Sequence, residues 1–158
     1  MSSLSRTLLI TAGLLSMMAL VACAAAAPVT VQQSAATKLL APCPDSPNCV
    51  STQAPRDDAQ HFIEPLTYTG SAADARQRLL AVINAMPRTQ IMTDEADTIH
   101  ATFTSLVFRF VDDVQFVIDD AAKTIHFRSA SRVGRSDLGV NRKRMEEIRT
   151  RFTQAAAP

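Results

Sequence analysis

The sequence predicts an α+β domain, in which an antiparallel sheet of about five strands carries two helices on one face. One segment has apolar residues at helical spacing between a serine and a proline, and the final segment has a second amphipathic pattern. Most segments between them alternate apolar and polar residues, as half-buried strands do. The expected order is therefore β-α-β-β-β-β-α. Short connections between successive strands imply that neighbouring strands pair antiparallel.

The first strand and the first helix are expected between residues 61 and 86. Residues 61–69 favour a strand, but Pro65 predicts that this strand is bulged or lies at a sheet edge. Ser71 can cap the following helix, and Asp74 is an acidic residue at its third position. Pro87 ends the helix. The apolar stripe of this helix is formed by Ala72, Ala75, Leu79, Val82, Ile83 and Met86.

The remaining strands and the second helix occupy the second half of the domain. The strands are expected at residues 90–93, 98–105, 108–118 and 124–130. Asp112 interrupts the apolar alternation of the third of these segments. The second helix is expected from about residue 138 to residue 154, with Ser136 or Asp137 as its cap. Its buried stripe is expected to contain Leu138, Met145, Ile148 and Phe152, and its outer face Arg142, Arg144, Glu146, Arg149 and Arg151.

The N-terminal residues indicate export and lipid attachment. Residues 7–20 form an apolar run typical of a signal-peptide core, shorter than the roughly 20 residues needed to cross a bilayer as a helix. The sequence LVAC at residues 20–23 resembles the lipobox of bacterial lipoproteins, in which Cys23 would receive lipid and become the first mature residue. An ordinary cleaved signal ending near residues 25–27 and a retained membrane helix are the alternatives. Ala24, directly after the cysteine, favours the outer membrane over the inner membrane.

Composition divides the chain into four parts. Residues 1–22 are the expected signal peptide, and residues 23–42 comprise the lipidated Cys23 and a flexible tether of alanine and small polar residues. Residues 43–154 are expected to form a single domain, because they suffice for one core but not for two. Residues 155–158 are a short tail. The expected location is the bacterial cell envelope, with the domain facing the periplasm.

Charge and cysteine usage limit the partners. A net charge of +1 argues against a nucleic-acid partner, which would require a strong basic excess. With Cys23 lipidated, an exported domain favours a disulfide between Cys43 and Cys49, which are separated by turn-forming residues. A metal site is the rival interpretation, but two thiols without a nearby histidine are a poor ligand set for zinc. We therefore predict neither a metal nor a cofactor.

Residues 128–142 have the clearest potential for chemistry, since they contain four arginines, three serines and two glycines before a helix. Arginine presents a planar fork of donors to phosphate or carboxylate, and a helix N-terminus adds free N–H groups. This pattern is consistent with an anion site. The structural alternative is that Arg128 and Arg132 pair with Asp112, Asp113 and Asp137 and hold the loop in place. Residue types alone favour this alternative.

Asp112 and Asp113 could in principle serve acid–base catalysis or bind a divalent metal. In a regular strand, however, adjacent side chains point to opposite faces, so the two carboxylates could not share a substrate. Asp112 lies in register with the apolar face and is therefore expected to be partly buried and paired. Arg128 or Arg132 is its expected partner.

Three motifs resemble the domain of unknown function family 1499. They are CPDSPNCVS at residues 43–51, FVDDV at 110–114 and RSASRVGRSDLGVNR at 128–142. The resemblance extends from Cys43 to about Phe152, and many members of that family are bacterial envelope lipoproteins. It implies no particular activity. It does imply that one site is formed by Asp112, Asp113, Arg128, Ser129, Ser131, Arg132, Asp137, Asn141 and Arg142.

Three hypotheses about function follow. The leading one is a non-enzymatic envelope lipoprotein, attached to the membrane by its lipid, whose Arg/Ser/Asp cluster binds a small anion or an envelope protein. The second is a hydrolase of a phosphate- or carboxylate-bearing envelope substrate, with Asp113 as base or metal ligand and Arg132 holding the anion. The third is a purely structural module.

Overall fold

Residues 38–156 are described by a computed structural model of the chain. The predicted signal peptide and Cys23 lie outside these residues. Within them, two helices pack against one face of a six-stranded antiparallel sheet. No helix in this part of the chain is long and apolar enough to cross a bilayer.

The α+β class and the antiparallel sheet are confirmed, with the element order β-β-α-β-β-β-β-α. The elements are β1 (Cys49–Ser51), β2 (Leu66–Thr67), α1 (Ala72–Asn84), β3 (Thr89–Asp94), β4 (Thr98–Thr104), β5 (Val111–Asp119), β6 (Thr124–Ser131) and α2 (Val140–Gln154). The strands lie in the order β1-β6-β5-β4-β3, and β2 pairs with β6 beside β1. The three long strands β4, β5 and β6 therefore form the centre of the sheet.

The first predicted strand is wrong in extent. Of residues 61–69, only β2 pairs regularly with β6, while Phe62 forms an isolated bridge to Ser51. Pro65 lacks the N–H group that a continuous strand would need. The prediction also missed β1, because three residues after a turn-rich segment are too few to show an alternating pattern. Strand β1 forms through its pairing with β6.

Helix α1 begins as predicted. The Ser71 hydroxyl accepts a hydrogen bond from the backbone N–H of Asp74 at 3.1 Å, and the helix ends at Asn84, three residues before Pro87. The buried residues of the helix are Ala75, Leu79, Val82 and Ile83. They pack against the core side chains of the central strands, which include Val114, Phe116 and Phe127.

Strand β5 and helix α2 both begin later than predicted, and both begin at the same end of the sheet. Strand β5 begins at Val111, because Arg109 has a positive φ of 57° and leaves Phe108 and Phe110 in an exposed loop. Helix α2 begins at Val140, and Leu138 has a φ of 55° and an exposed side chain. Leu138 is therefore not part of the buried stripe, in which the first member is Asn141.

A disulfide joins Cys43 to Cys49, with Cα atoms 5.7 Å apart, as predicted. It connects β1 to residues 38–43. The N–H of Leu40 in this segment donates to the Gln53 side chain at 2.8 Å, and Lys38 lies within 4 Å of two carboxylates in the β3–β4 turn. Residues 38–43 thus run along the sheet face opposite the helices, which we call the open face.

Candidate functional site

The predicted site residues surround the end of the sheet at which β6 stops and α2 begins. Strand periodicity divides most of them into two groups on opposite faces, and the structure adds Asn48, Arg144 and His100, which were not predicted. The first group, which we call the buried polar cluster, lies beneath α2 and consists of Asn48, Asp112, Ser129, Ser131, Asp137, Asn141 and Arg144. The second, the open-face group, consists of His100, Asp113, Arg128 and Arg132.

Asn141 is the centre of the buried polar cluster and has no solvent exposure. Its Oδ1 atom accepts hydrogen bonds from the Ser129 hydroxyl at 2.6 Å and from Arg144 Nη1 at 2.7 Å. Its Nδ2 atom lies within 3.0 Å of three acceptors, which are the Asn48 carbonyl, the Ser131 hydroxyl and the Asp137 carboxylate. The single amide therefore joins β6, the β6–α2 loop and the residue before β1.

Asp112 is buried as predicted, but the prediction of its partner was wrong. Arg144, not Arg128 or Arg132, donates to Asp112 Oδ2 at 2.5 Å, and the two side chains are only 9% and 7% exposed. The Arg144 guanidinium also lies 4.8 Å from the ring centre of Phe103. The sequence prediction had placed Arg144 on the outer face of its helix.

The helical spacing contained a signal for Arg144. It follows Asn141 by three residues and precedes the buried Ile148 by four, so it lies beside the buried stripe. A long arginine side chain at such a position can reach beneath the helix. The sequence does not, however, indicate which acceptor it would reach.

Asp137 acts at the N-terminus of α2. Its carboxylate accepts the backbone N–H of Gly139 at 3.0 Å and that of Asn141 at 2.7 Å. These are N–H groups that a helix leaves without internal partners, and a carboxylate is favourable at that position. The carboxylate therefore stabilises the start of the helix, but the cap position is occupied by Gly139 and not, as predicted, by Ser136 or Asp137.

Arg142 does not join either group. Its Nη2 atom donates to the backbone carbonyls of Ala59, Gln60 and Phe62 at 3.3, 3.1 and 2.9 Å. It therefore holds the loop before β2 against α2. The structure therefore does not bring all nine predicted residues together: Arg142 lies apart, and the other eight are divided between the two faces of the sheet.

On the open face, Asp113 is held by two side chains. Arg132 makes a bidentate contact with it at 2.8 and 2.9 Å, and His100 Nε2 lies 2.8 Å from its Oδ1 atom. The hydrogen bonds from Arg132, together with the contact to His100, hold the pKa of Asp113 below its ordinary value, against the opposing effect of partial burial. His100 was missed from sequence, because only the register of β4 against β5 brings it to Asp113.

Arg128 is the least satisfied member of the open-face group. Its side chain extends from β6 between Gln115 on β5 and Ser51 on β1. Its Nε atom is buried and has no hydrogen-bond partner among residues 38–156. Burial lowers the pKa of its guanidinium, and only the charge of Asp113 opposes this effect. A buried charged donor without a partner is unfavourable and uncommon in folded proteins.

The Asp113 contacts predict a pH dependence of stability. Because the pKa of folded Asp113 lies below the unfolded value of about 3.9, its contacts add stability above about pH 4. That contribution is lost as the pH falls further, through the folded pKa. We therefore expect the unfolding free energy of Asp113→Asn, measured by urea denaturation, to fall less steeply below about pH 4 than that of wild type.

The control for this measurement is Asp45→Asn, which replaces an exposed aspartate. Asp45 forms no ion pair with any of residues 38–156. This variant should follow the wild-type pH profile. Equal slopes for Asp113→Asn and wild type would mean that the Arg132 and His100 contacts add no measurable stability.

The arrangement is poorly suited to carboxylate catalysis. Asp112 and Asp113 face opposite sides of the sheet, and each already binds an arginine. A general base functions best with a pKa near the working pH, whereas the pKa of Asp113 is lowered. Among residues 38–156, no three His, Cys, Asp or Glu side chains are grouped closely enough to hold a metal ion.

Comparison with known proteins identifies the family of the chain. No match was found among curated proteins or among solved structures. The family model described as protein of unknown function (DUF1499) matches residues 39–152, which include both groups of site residues. The chain therefore belongs to the protein family of unknown function DUF1499.

Proposed function

We propose that this chain is a lipid-anchored protein of the bacterial envelope whose domain is a non-enzymatic binding module for a small anion. The lipobox-like sequence at residues 20–23 and the preceding apolar run support the lipid anchor at Cys23. The disulfide between Cys43 and Cys49 is consistent with an oxidising compartment such as the periplasm. The residue after Cys23 favours the outer membrane.

The observation that carries the anion site is the incompletely satisfied guanidinium of Arg128. Together with Arg132 it places two positive charges beside the single carboxylate of Asp113. The side chain of Arg132 is 49% exposed, so an anion can approach it from solvent. Arginine forks match the oxygen geometry of phosphate and carboxylate. The open-face group is therefore the proposed site for a small oxyanion.

The buried polar cluster supports this site without contributing to binding. Its donors and acceptors are used within the cluster, and Asp112 and Arg144 neutralise each other beneath α2. Asp112 and Asp113 are consecutive residues of β5. The ion pair between Asp112 and Arg144 therefore also holds in place the strand from which Asp113 projects. The hydrolase alternative has weaker support, because Asp113 already accepts hydrogen bonds and has a lowered pKa.

Binding is tested by thermal unfolding of the purified full chain with inorganic phosphate or acetate. At about ten times the dissociation constant, a ligand should add about 1.4 kcal/mol and raise Tm by about 5 °C. Arg128→Gln should remain folded and lose this rise. The matched control Arg151→Gln, which replaces an exposed arginine on α2, should retain it.

Two results would contradict the anion site: no shift of wild type with either anion, or an equal shift in both variants. Mass spectrometry of the chain purified from bacterial membranes tests the anchor separately. It should show a mature chain that begins at a lipid-modified Cys23.

A further inference from the structure

Exposed apolar side chains gather at one end of the domain. Of the nine exposed large apolar residues in the described part of the chain, seven belong to the β4–β5 loop, the β6–α2 loop or the first residue of α2. We call this surface the apolar end. It consists of Leu106, Val107, Phe108, Phe110, Val133, Leu138 and Val140.

The apolar end is one surface formed by neighbouring loops. The β6–α2 loop is joined to the base of the β4–β5 loop by the N–H of Arg132, which donates to the Val111 carbonyl at 3.0 Å. Leu106 and Val140 line the same surface cleft. Phe108 and Phe110 stack with ring centres 5.6 Å apart. Single exposed apolar residues are ordinary, whereas a contiguous set of this kind marks an interaction surface.

Basic side chains surround this surface. Arg88, Arg109, Arg135 and Lys143 are exposed, and none of them forms an ion pair within residues 38–156. Asp112 and Asp113 are bound to arginines, and Asp137 is bound to the start of α2. Glu147, which lines the same cleft as Leu106 and Val140, pairs with Arg151. The opposite end of the sheet carries five carboxylates against three cations. The carboxylates are Asp94, Glu95, Asp97, Asp119 and Asp120, and the cations Lys38, Arg76 and Lys123 pair with four of them. The domain therefore has one apolar, basic end and one acidic end.

We propose that the apolar end docks on the surface of a bilayer that contains anionic phospholipid. Aromatic and aliphatic loop residues insert at the depth of the headgroups, where Phe and Leu are favourable. Arginine and lysine beside them bind the lipid phosphates, and each adds about fivefold to binding. The same surface repels the excess of carboxylates over cations at the other end, so the charges also orient the domain.

The length of the N-terminal chain permits this orientation. Lys38 lies beside Glu95 and Asp97, at the acidic end. Cys23 precedes Lys38 by fifteen positions, and a chain of that length reaches at most about 50 Å. The nine residues of β5 span about 30 Å between the two ends. A lipid on Cys23 and the apolar end can therefore contact the same leaflet.

This docking goes beyond the proposed anion site, because it uses different residues and a different face. It depends on the proposed lipid anchor only for the question of which membrane the domain contacts. The surface itself belongs to the folded domain. Docking and lipid attachment can consequently be measured separately on the same preparation.

The experiment uses tryptophan fluorescence, since the chain contains no tryptophan. Phe108→Trp places a reporter at the apolar end, and Met92→Trp places a matched reporter at another exposed apolar position, on β3. The full chains are added to vesicles of phosphatidylcholine alone or with phosphatidylglycerol, including brominated lipids as quenchers. The mass of each purified chain records whether Cys23 carries lipid.

We expect the emission of Phe108→Trp to shift to shorter wavelength and to be quenched on vesicles with phosphatidylglycerol, and that of Met92→Trp to remain unchanged. Adding Arg109→Gln and Arg135→Gln should weaken docking about thirtyfold. Unchanged Phe108→Trp emission on both vesicles, or equal quenching of both reporters, would overturn the proposal. A shift that depends on protein concentration without vesicles would assign the surface to a second copy of the chain instead.

Discussion

Replacement of Arg144 by methionine is expected to lower the free energy of unfolding by about 3 to 5 kcal/mol. The substitution places an unbranched apolar side chain at the position but removes the guanidinium that, among residues 38–156, neutralises the buried Asp112 carboxylate. It also removes the donors to Ser129 and Asn141. Urea denaturation followed by circular dichroism at neutral pH measures the loss.

The control for this variant is Arg151→Met on the exposed face of the same helix. Arg151 pairs with Glu147 at the surface, where such pairs contribute about 0 to 1 kcal/mol. A further variant, Arg144→Met combined with Asp112→Leu, removes both charges and should recover much of the lost stability. A loss of less than about 1 kcal/mol for Arg144→Met would mean that the buried pair does not hold α2 to the sheet.

Replacement of Asn141 by alanine is expected to lower the free energy of unfolding by about 3 kcal/mol. The fully buried amide joins five side-chain and backbone groups, and the leftover polar atoms cannot reach water without opening the helix. Equilibrium unfolding measures this loss in the same way. Asn141→Asp, which keeps the shape but loses the amide donor, should also destabilise the domain.

Asn141 and Arg144 share a hydrogen bond, so their effects should not be additive. The double variant should lose less stability than the sum of the single variants. Simple additivity would contradict the description of the buried polar cluster as one network. Large losses in both single variants would also explain why the motif at residues 128–142 is rich in polar residues without requiring that all of them bind a ligand.

Two surfaces of the domain are candidates for function. The buried polar cluster positions β5 and the start of α2, whereas on the open face Arg132 is half-exposed and the buried Nε atom of Arg128 has no partner among residues 38–156. The apolar end lies beyond both groups, at the loops that follow β4 and β6. The proposed anion binding and the proposed membrane docking therefore involve different side chains, and the variants described above can separate them.

Local sequence signals predicted much of the fold. Ser71 and Pro87 bounded α1, because capping and helix termination depend on residues within one or two turns. The alternating pattern located β4, β5 and β6 and placed Asp112 and Asp113 on opposite faces, since consecutive side chains in a strand always diverge. The disulfide between Cys43 and Cys49 was also predictable from spacing and compartment.

Tertiary structure alone decided the partners within the site. Arg144 reaches Asp112, and His100 reaches Asp113, through helix placement and strand register that no short sequence pattern encodes. For the same reason, the sequence did not indicate that Arg142 donates to the loop before β2. Likewise, Phe108 looked like a strand residue, yet the turn at Arg109 left it exposed at the apolar end. Sequence thus determined the elements and their faces, which depend on neighbouring residues. The contacts between side chains of different elements depend instead on how distant segments of the chain pack together.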